Sequence, residues 1–135
     1  MIYPFLDSDI EDIYNAFPAP IKIKCLQLRT AIFDIARKHP TIGPIEETLR
    51  WNEPAYIPSQ SKSGSMIRIQ HNPNKPYDFA LVFLCSTTLV EQFKEQYPNT
   101  FTFGGNRTLE FMATHPLPMS NINNCILQAL TYYRQ

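Results

Sequence analysis

The chain has 135 residues, of which 44% are hydrophobic, and its 12 Lys and Arg balance 12 Asp and Glu. This length favours one domain over residues 1–135, with a core large enough to fold without a metal or a disulfide. The zero net charge argues against nucleic acid as a partner, and the lack of a long apolar run argues against a membrane span. An acidic N-terminus and three widely spaced cysteines predict a cytoplasmic protein.

The first third of the chain predicts two helices. Apolar residues repeat at helical spacing over residues 7–17, where Asp7 or Ser8 can cap the helix, and again over residues 20–38. Prolines separate these two helices and close the second one. Residues 44–50 are predicted to form a single helical turn.

The rest of the chain predicts a small antiparallel sheet followed by a helix. In order, the predicted elements are a polar mobile loop (58–65), a half-buried strand (66–71), a central strand covered on both faces (77–85), a helix (88–97), the two strands of a hairpin (100–103 and 107–112) and an amphipathic helix (118–133). Helices at both ends with strands between them predict an α+β fold, in which N-terminal and C-terminal helices pack on the sheet.

The most distinctive segment surrounds the single tryptophan. It reads Glu47-Thr48-Leu49-Arg50-Trp51-Asn52-Glu53-Pro54-Ala55-Tyr56, and the later segments Thr108-Leu109-Glu110-Phe111 and Pro116-Leu117-Pro118 accompany it. The pattern Glu-Thr-x-x-Trp-x-x-Pro-x-Tyr resembles that of the YdhG-like family, domain of unknown function 1801, over roughly residues 20–133. The resemblance implies the same α+β layout. The chain departs from the family at Asn52, where the family often has Gly, and in a polar insertion at residues 59–65.

Two interpretations of the tryptophan segment remain open. In the first, it forms the site of a non-catalytic accessory domain that binds a small molecule or a protein, because rigid aromatic groups offer large contact area and charged groups orient a ligand. The predicted site combines three charged and three rigid apolar residues: Glu47, Arg50, Glu53, Trp51, Pro54 and Tyr56. In the second, Trp51 fills one end of the core.

An acidic cluster near the N-terminus permits another function. The cluster contains Asp7, Asp9, Glu11 and Asp12. Acids at a helix start complement the helix dipole, which is the simpler explanation. The YdhG-like family includes a frataxin-like iron chaperone, so the resemblance also implies an alternative in which these carboxylates bind iron. No other cofactor is predicted.

The spacing of the polar residues indicates no catalytic constellation. Cys85, between an apolar strand and a helix, is the one candidate nucleophile, and no histidine lies near it in sequence. His39, His71 and His115 each stand close to a proline, at the ends of elements, and form no metal-binding pair at helical spacing. The chain is therefore predicted not to be an enzyme.

Overall fold

A computed structural model describes residues 2–134, which form a six-stranded antiparallel sheet and four α-helices. In chain order these elements are α1 (Ser8–Ala16), α2 (Ala19–Lys38), β1 (Glu46–Arg50), β2 (Glu53–Ile57), β3 (Ile67–Gln70), β4 (Phe79–Phe83), α3 (Leu89–Gln96), β5 (Thr102–Gly104), β6 (Thr108–Phe111) and α4 (Met119–Leu130). The strands lie in the order β1-β2-β3-β4-β6-β5. The predicted α+β class is confirmed.

The four predicted helices are present, with small differences at their ends. Asp7 caps α1 by accepting the N–H of Asp9 at 2.8 Å, and Pro20 lies in the first turn of α2, where a missing N–H costs nothing. α4 ends at Leu130, so Tyr133, the last residue of the predicted helix, lies beyond it and is 60% exposed. None of the helices within residues 2–134 has the length and apolar character that a membrane crossing requires.

The core lies between the helices and one face of the sheet. Alternate residues of the central strands point into it, including Ile67 and Ile69 of β3 and Leu81 of β4. The helices contribute apolar side chains such as Leu28 and Ile126. Burying one such side chain fully stabilises the fold by about 1.5–3 kcal/mol, so this single cluster holds the helical layer on the sheet.

Residues 46–57 form a β-hairpin, and the predicted helical turn at residues 44–50 is therefore wrong. β1 and β2 pair along their full length, and Trp51 and Asn52 make the two-residue turn. Both turn residues have positive φ angles, of 52° and 62°, as the primed turns of tight hairpins require. Asn tolerates this conformation and Gly adopts it freely. The hairpin adds two strands to the four that were predicted.

The predicted mobile loop at residues 58–65 is instead anchored to the end of α4. The buried Ser63 hydroxyl donates to the Leu130 carbonyl at 2.8 Å, and the Ser65 N–H donates to the Ala129 carbonyl at 2.8 Å. Gly64 lies so close to this helix end that a Cβ would come within 2.2 Å of the Leu130 carbonyl carbon. The segment thus satisfies carbonyl groups that a helix end leaves unpaired.

The helices pack on one face of the sheet and leave the other face, here called the open face, without a second layer. The buried apolar residues of α1 to α4 join one core cluster that contains helix-facing strand residues but not Ala80 or Val82 of β4. Residues 77–85 were predicted to form a strand covered on both faces. β4 is buried along its whole length, but no helix within residues 2–134 covers its second face. Ala80 and Val82 are buried because they lie among longer side chains of the neighbouring strands. The open face includes Thr48 and Arg50, Glu53 and Ala55, Arg68 and Gln70, Ala80 and Val82, Thr108 and Glu110, and Thr102 and Gly104.

Candidate binding site

Trp51 lies at the tip of the β1–β2 hairpin, beside the open face. Its side chain is 72% exposed, so it does not fill the core. The guanidinium carbon of Arg68, on β3, lies 4.6 Å from the centre of a Trp51 ring. This cation–π contact contributes about 0.5–1 kcal/mol at an exposed site and fixes the orientation of the indole. Trp51 is thus an ordered aromatic group that is available to a ligand.

A chain of hydrogen bonds runs from Arg68 across the open face. Arg68 Nη1 donates to Glu53 Oε1 at 2.6 Å, and Gln70 Nε2 donates to Glu53 Oε2 at 2.8 Å. The Tyr77 hydroxyl then donates to Gln70 Oε1 at 2.5 Å. Burial, followed by the carboxylates of Glu110 and Glu53, raises the pKa of Tyr77, so the hydroxyl keeps the proton that it donates. The four side chains therefore hold one another in a defined arrangement.

Arg68 is buried but incompletely bonded. The residue is only 6% exposed, and its Nε has no hydrogen-bond partner among residues 2–134. A buried donor without a partner costs about 1–3 kcal/mol, so Nε is available to an acceptor that enters from outside the protein. The guanidinium is fixed between Glu53 and Trp51 at the edge of the cleft described next.

A cleft of about 280 Å³ occupies the open face next to Arg68. Its lining is polar except for one valine and one glycine, and comprises Arg68, Gln70, Lys75, Val82, Gly104, Arg107, Thr108 and Glu110. The Thr108 hydroxyl donates to Glu110 Oε2 at 3.0 Å. A Cβ on Gly104 would come within 2.0 Å of that oxygen, so glycine leaves the room that the Glu110 carboxylate occupies. The cleft thus combines fixed polar groups with cations from two turns.

The other side of the same hairpin contains a second, fully bonded network. Arg29 of α2 donates to Glu47 Oε2 at 2.5 Å and to Oε1 at 3.0 Å, and it also donates to the Tyr3 carbonyl at 2.6 Å. The Tyr56 hydroxyl donates to Glu47 Oε2 at 2.7 Å and lies 2.5 Å from the Tyr14 hydroxyl. Burial, then the neighbouring Tyr14 and Glu47, raises the pKa of Tyr56 well above 10.0. These groups connect α1, α2 and the hairpin, and their bonding capacity is used within the protein.

The six residues predicted as one site therefore separate onto two sides of the hairpin. The turn contains Trp51, and the open face contains Glu53 and Arg50. Within residues 2–134, the side-chain hydrogen bonds of Arg50 go to its own strand. Glu47 and Tyr56 face the helices, and Tyr56 is fully buried. Pro54 is also buried, and the β2–β3 ladder begins one residue after it, because proline has no N–H to donate.

Several open-face residues were not predicted from the sequence. Arg68 lies between Ile67 and Ile69 in β3. The alternation of apolar and polar residues in this strand could have placed Arg68 on the face opposite the two isoleucines. Lys75 and Arg107 lie in turns that only the tertiary fold brings to one cleft. No local pattern in the sequence indicates that proximity.

The acidic residues of the iron hypothesis do not form a metal-binding group in the part of the chain that is described. Asp7 caps α1, and no three His, Cys, Asp or Glu side chains of residues 2–134 are grouped so as to hold a metal ion. The four carboxylates, Asp7, Asp9, Glu11 and Asp12, belong to the cap and first turns of α1. Iron binding stays a prediction from the family resemblance, without support from this geometry.

The candidate catalytic groups form no hydrogen-bonded set within residues 2–134. No hydrogen bond joins the exposed Cys85 to a histidine or a carboxylate within residues 2–134. His71 Nδ1 lies 2.6 Å from the Asp78 carbonyl, and its ring packs against Phe17. Burial raises the pKa of Cys25 from 9.0 to about 12, so this thiol is a core residue and not a nucleophile.

Comparison with known proteins gives no further assignment. No family model, no curated protein and no solved structure matches this chain. The resemblance to the YdhG-like family therefore stays a prediction from the Glu47–Tyr56 motif.

Proposed function

We propose that this protein is a non-catalytic binding domain whose ligand surface is the open face of the sheet, from Trp51 to the polar cleft. The observation that carries the proposal is that the helices leave this face uncovered while its polar side chains are ordered by mutual hydrogen bonds. Polar groups held in place orient a ligand and give specificity, and the exposed aromatic group at the rim adds an apolar contact surface.

Trp51 supplies contact area at this rim. Tryptophan offers a large rigid surface and loses little conformational freedom on binding. Its turn is part of a paired hairpin, and Arg68 supports one side of the ring. The exposed fraction of 72% leaves much of the indole open to a ligand.

The cleft is organised before a ligand arrives. Glu53 accepts bonds from both Arg68 and Gln70, and Thr108 bonds to Glu110. A ligand that binds there orders few additional side chains, which lowers the entropic cost of association. The proposal of a non-catalytic role draws on the lack of a hydrogen bond between Cys85 and any histidine within residues 2–134. That of a cytoplasmic location draws on the three cysteines, which form no disulfide there.

The single tryptophan provides a direct test. Because Trp51 is the only tryptophan in the chain, its fluorescence reports on this face alone. We expect ligands from a library of charged and polar metabolites to change the Trp51 emission and to raise the melting temperature, since binding only the native state stabilises it. Trp51→Ala should weaken that thermal shift.

A matched control separates binding from a general loss of aromatic surface. Tyr133 is 60% exposed, follows α4 near the C-terminus and does not line the cleft, so Tyr133→Ala should leave the thermal shift unchanged. The proposal fails if ligands that stabilise the protein do so equally in Trp51→Ala and leave the tryptophan emission of the wild type unchanged.

A further inference from the structure

Four charged side chains line the cleft, and three of them have no ionic partner in the described part of the chain; the fourth, Arg68, is paired with Glu53. Lys75 and Arg107 are exposed cations, and Glu110 is a partly buried carboxylate. Within residues 2–134, none of the three takes part in an ion pair. The cleft therefore has unpaired charges of both signs.

These three side chains come from different parts of the fold. Lys75 belongs to the turn before β4, and Arg107 to the turn between β5 and β6. Glu110 lies over Gly104, and its Oε2 accepts the Thr108 hydroxyl. The carboxylate is thus held in place and partly buried, while the two cations are exposed.

A ligand with a single charge fits this cleft poorly. An anion bound by Lys75 and Arg107 lies close to the Glu110 carboxylate, and a cation bound by Glu110 lies close to both basic groups. Like charges brought together on binding oppose it. A ligand with one charge of each sign pairs with all three side chains, and each charge-assisted hydrogen bond is stronger than a neutral one.

We propose that the cleft binds a small zwitterion, with its carboxylate at Lys75 and Arg107 and its ammonium group at Glu110, as a free α-amino acid would present them. This inference rests on the proposed function, because it assigns a ligand class to the same open face. The volume of about 280 Å³ is just below the usual range for drug-sized ligands, which begins at about 300 Å³, and so suits a smaller ligand.

The test is calorimetric titration of the full chain with each of the twenty common L-amino acids. We expect saturable binding of at least one. For the tightest, the carboxamide and the N-acetyl derivative each lack one charge, and each should bind about tenfold more weakly or worse. The dipeptide alanyl-alanine also carries one ammonium group and one carboxylate. Comparing its affinity with that of the amino acids shows whether the cleft prefers a free amino acid or a peptide.

Two variants test which side chain of the protein binds each charge of the ligand. Glu110→Gln and Arg107→Gln should each weaken amino-acid binding by about tenfold or more, with unchanged melting temperatures in the absence of ligand. Glu46→Gln is the control, because Glu46 lies on the far edge strand and does not line the cleft. It should bind as the wild type does.

The outcomes separate this inference from the proposed function. If acetate or inorganic phosphate binds as tightly as any amino acid and Glu110→Gln tightens it, the ligand is a simple anion and the zwitterion inference is overturned. If no amino acid or dipeptide binds but another ligand changes the Trp51 emission, the inference fails and the proposed function stands. If no ligand of any class perturbs the open face, both fail.

Discussion

Removing the charge of Glu47 should destabilise the fold strongly. Glu47 and Arg29 are only 10% and 4% exposed, and two hydrogen bonds join them. In Glu47→Gln the guanidinium keeps its place but loses its counter-charge, and the new amide directs a donor at other donors. Leaving one buried partner unpaired costs about 3–5 kcal/mol. For an unfolding slope of about 2 kcal/mol per M, the urea midpoint should fall by about 2 M.

The neighbouring residue provides the control for that measurement. Glu46 is exposed on the same strand and makes no ion pair within the described residues, so Glu46→Gln should change the free energy of unfolding by no more than about 0.5 kcal/mol. Urea unfolding at neutral pH compares both variants with the wild type. Equal midpoints for Glu47→Gln and Glu46→Gln would refute the conclusion that this network joins the hairpin to the helices.

Three further substitutions test other contacts. Gly64→Ala should lower the free energy of unfolding by about 1–3 kcal/mol, because the new methyl group meets the Leu130 backbone; an unchanged urea midpoint would contradict that packing. Asn52→Gly should raise the melting temperature, since the φ of 62° strains Asn more than Gly, and a lower value would contradict the turn geometry. Above pH 10.0 the unfolded chain releases the Tyr56 proton that the native state keeps, so stability falls as the pH rises. Tyr56→Phe should reduce that fall by about 1.4 kcal/mol per pH unit, and an unchanged slope in alkaline unfolding would argue against burial of the hydroxyl.

The helical part of the fold could be predicted because its signals are local. The apolar stripe of α4 and the proline boundaries of α2 depend on residues a few positions apart. The β1–β2 hairpin was missed because Trp51-Asn52 is not the usual Asn-Gly or Asp-Gly pair of a primed turn. Its charged, short strands also lack the apolar alternation that identified β3.

The candidate site was predicted only in part because it depends on strand register. Sequence spacing placed Trp51 and Tyr56 in one segment, but the pleat of β2 directs Tyr56 to the core while the turn exposes Trp51. The partner of Glu47 is on α2 and that of Glu53 is on β3. These pairs are distant in sequence, and a single sequence contains no local signal for them.

The most direct test of the open-face proposal is a nitrogen-15 correlation spectrum of the full chain, recorded with and without metabolite mixtures that contain the amino acids. The proposal predicts shifts of the Trp51 indole N–H and of the amides of Arg68, Gln70 and Glu110, with little change at residues of α2 and α4. Shifts confined to the helical layer, or none at any signal with every mixture, would contradict it.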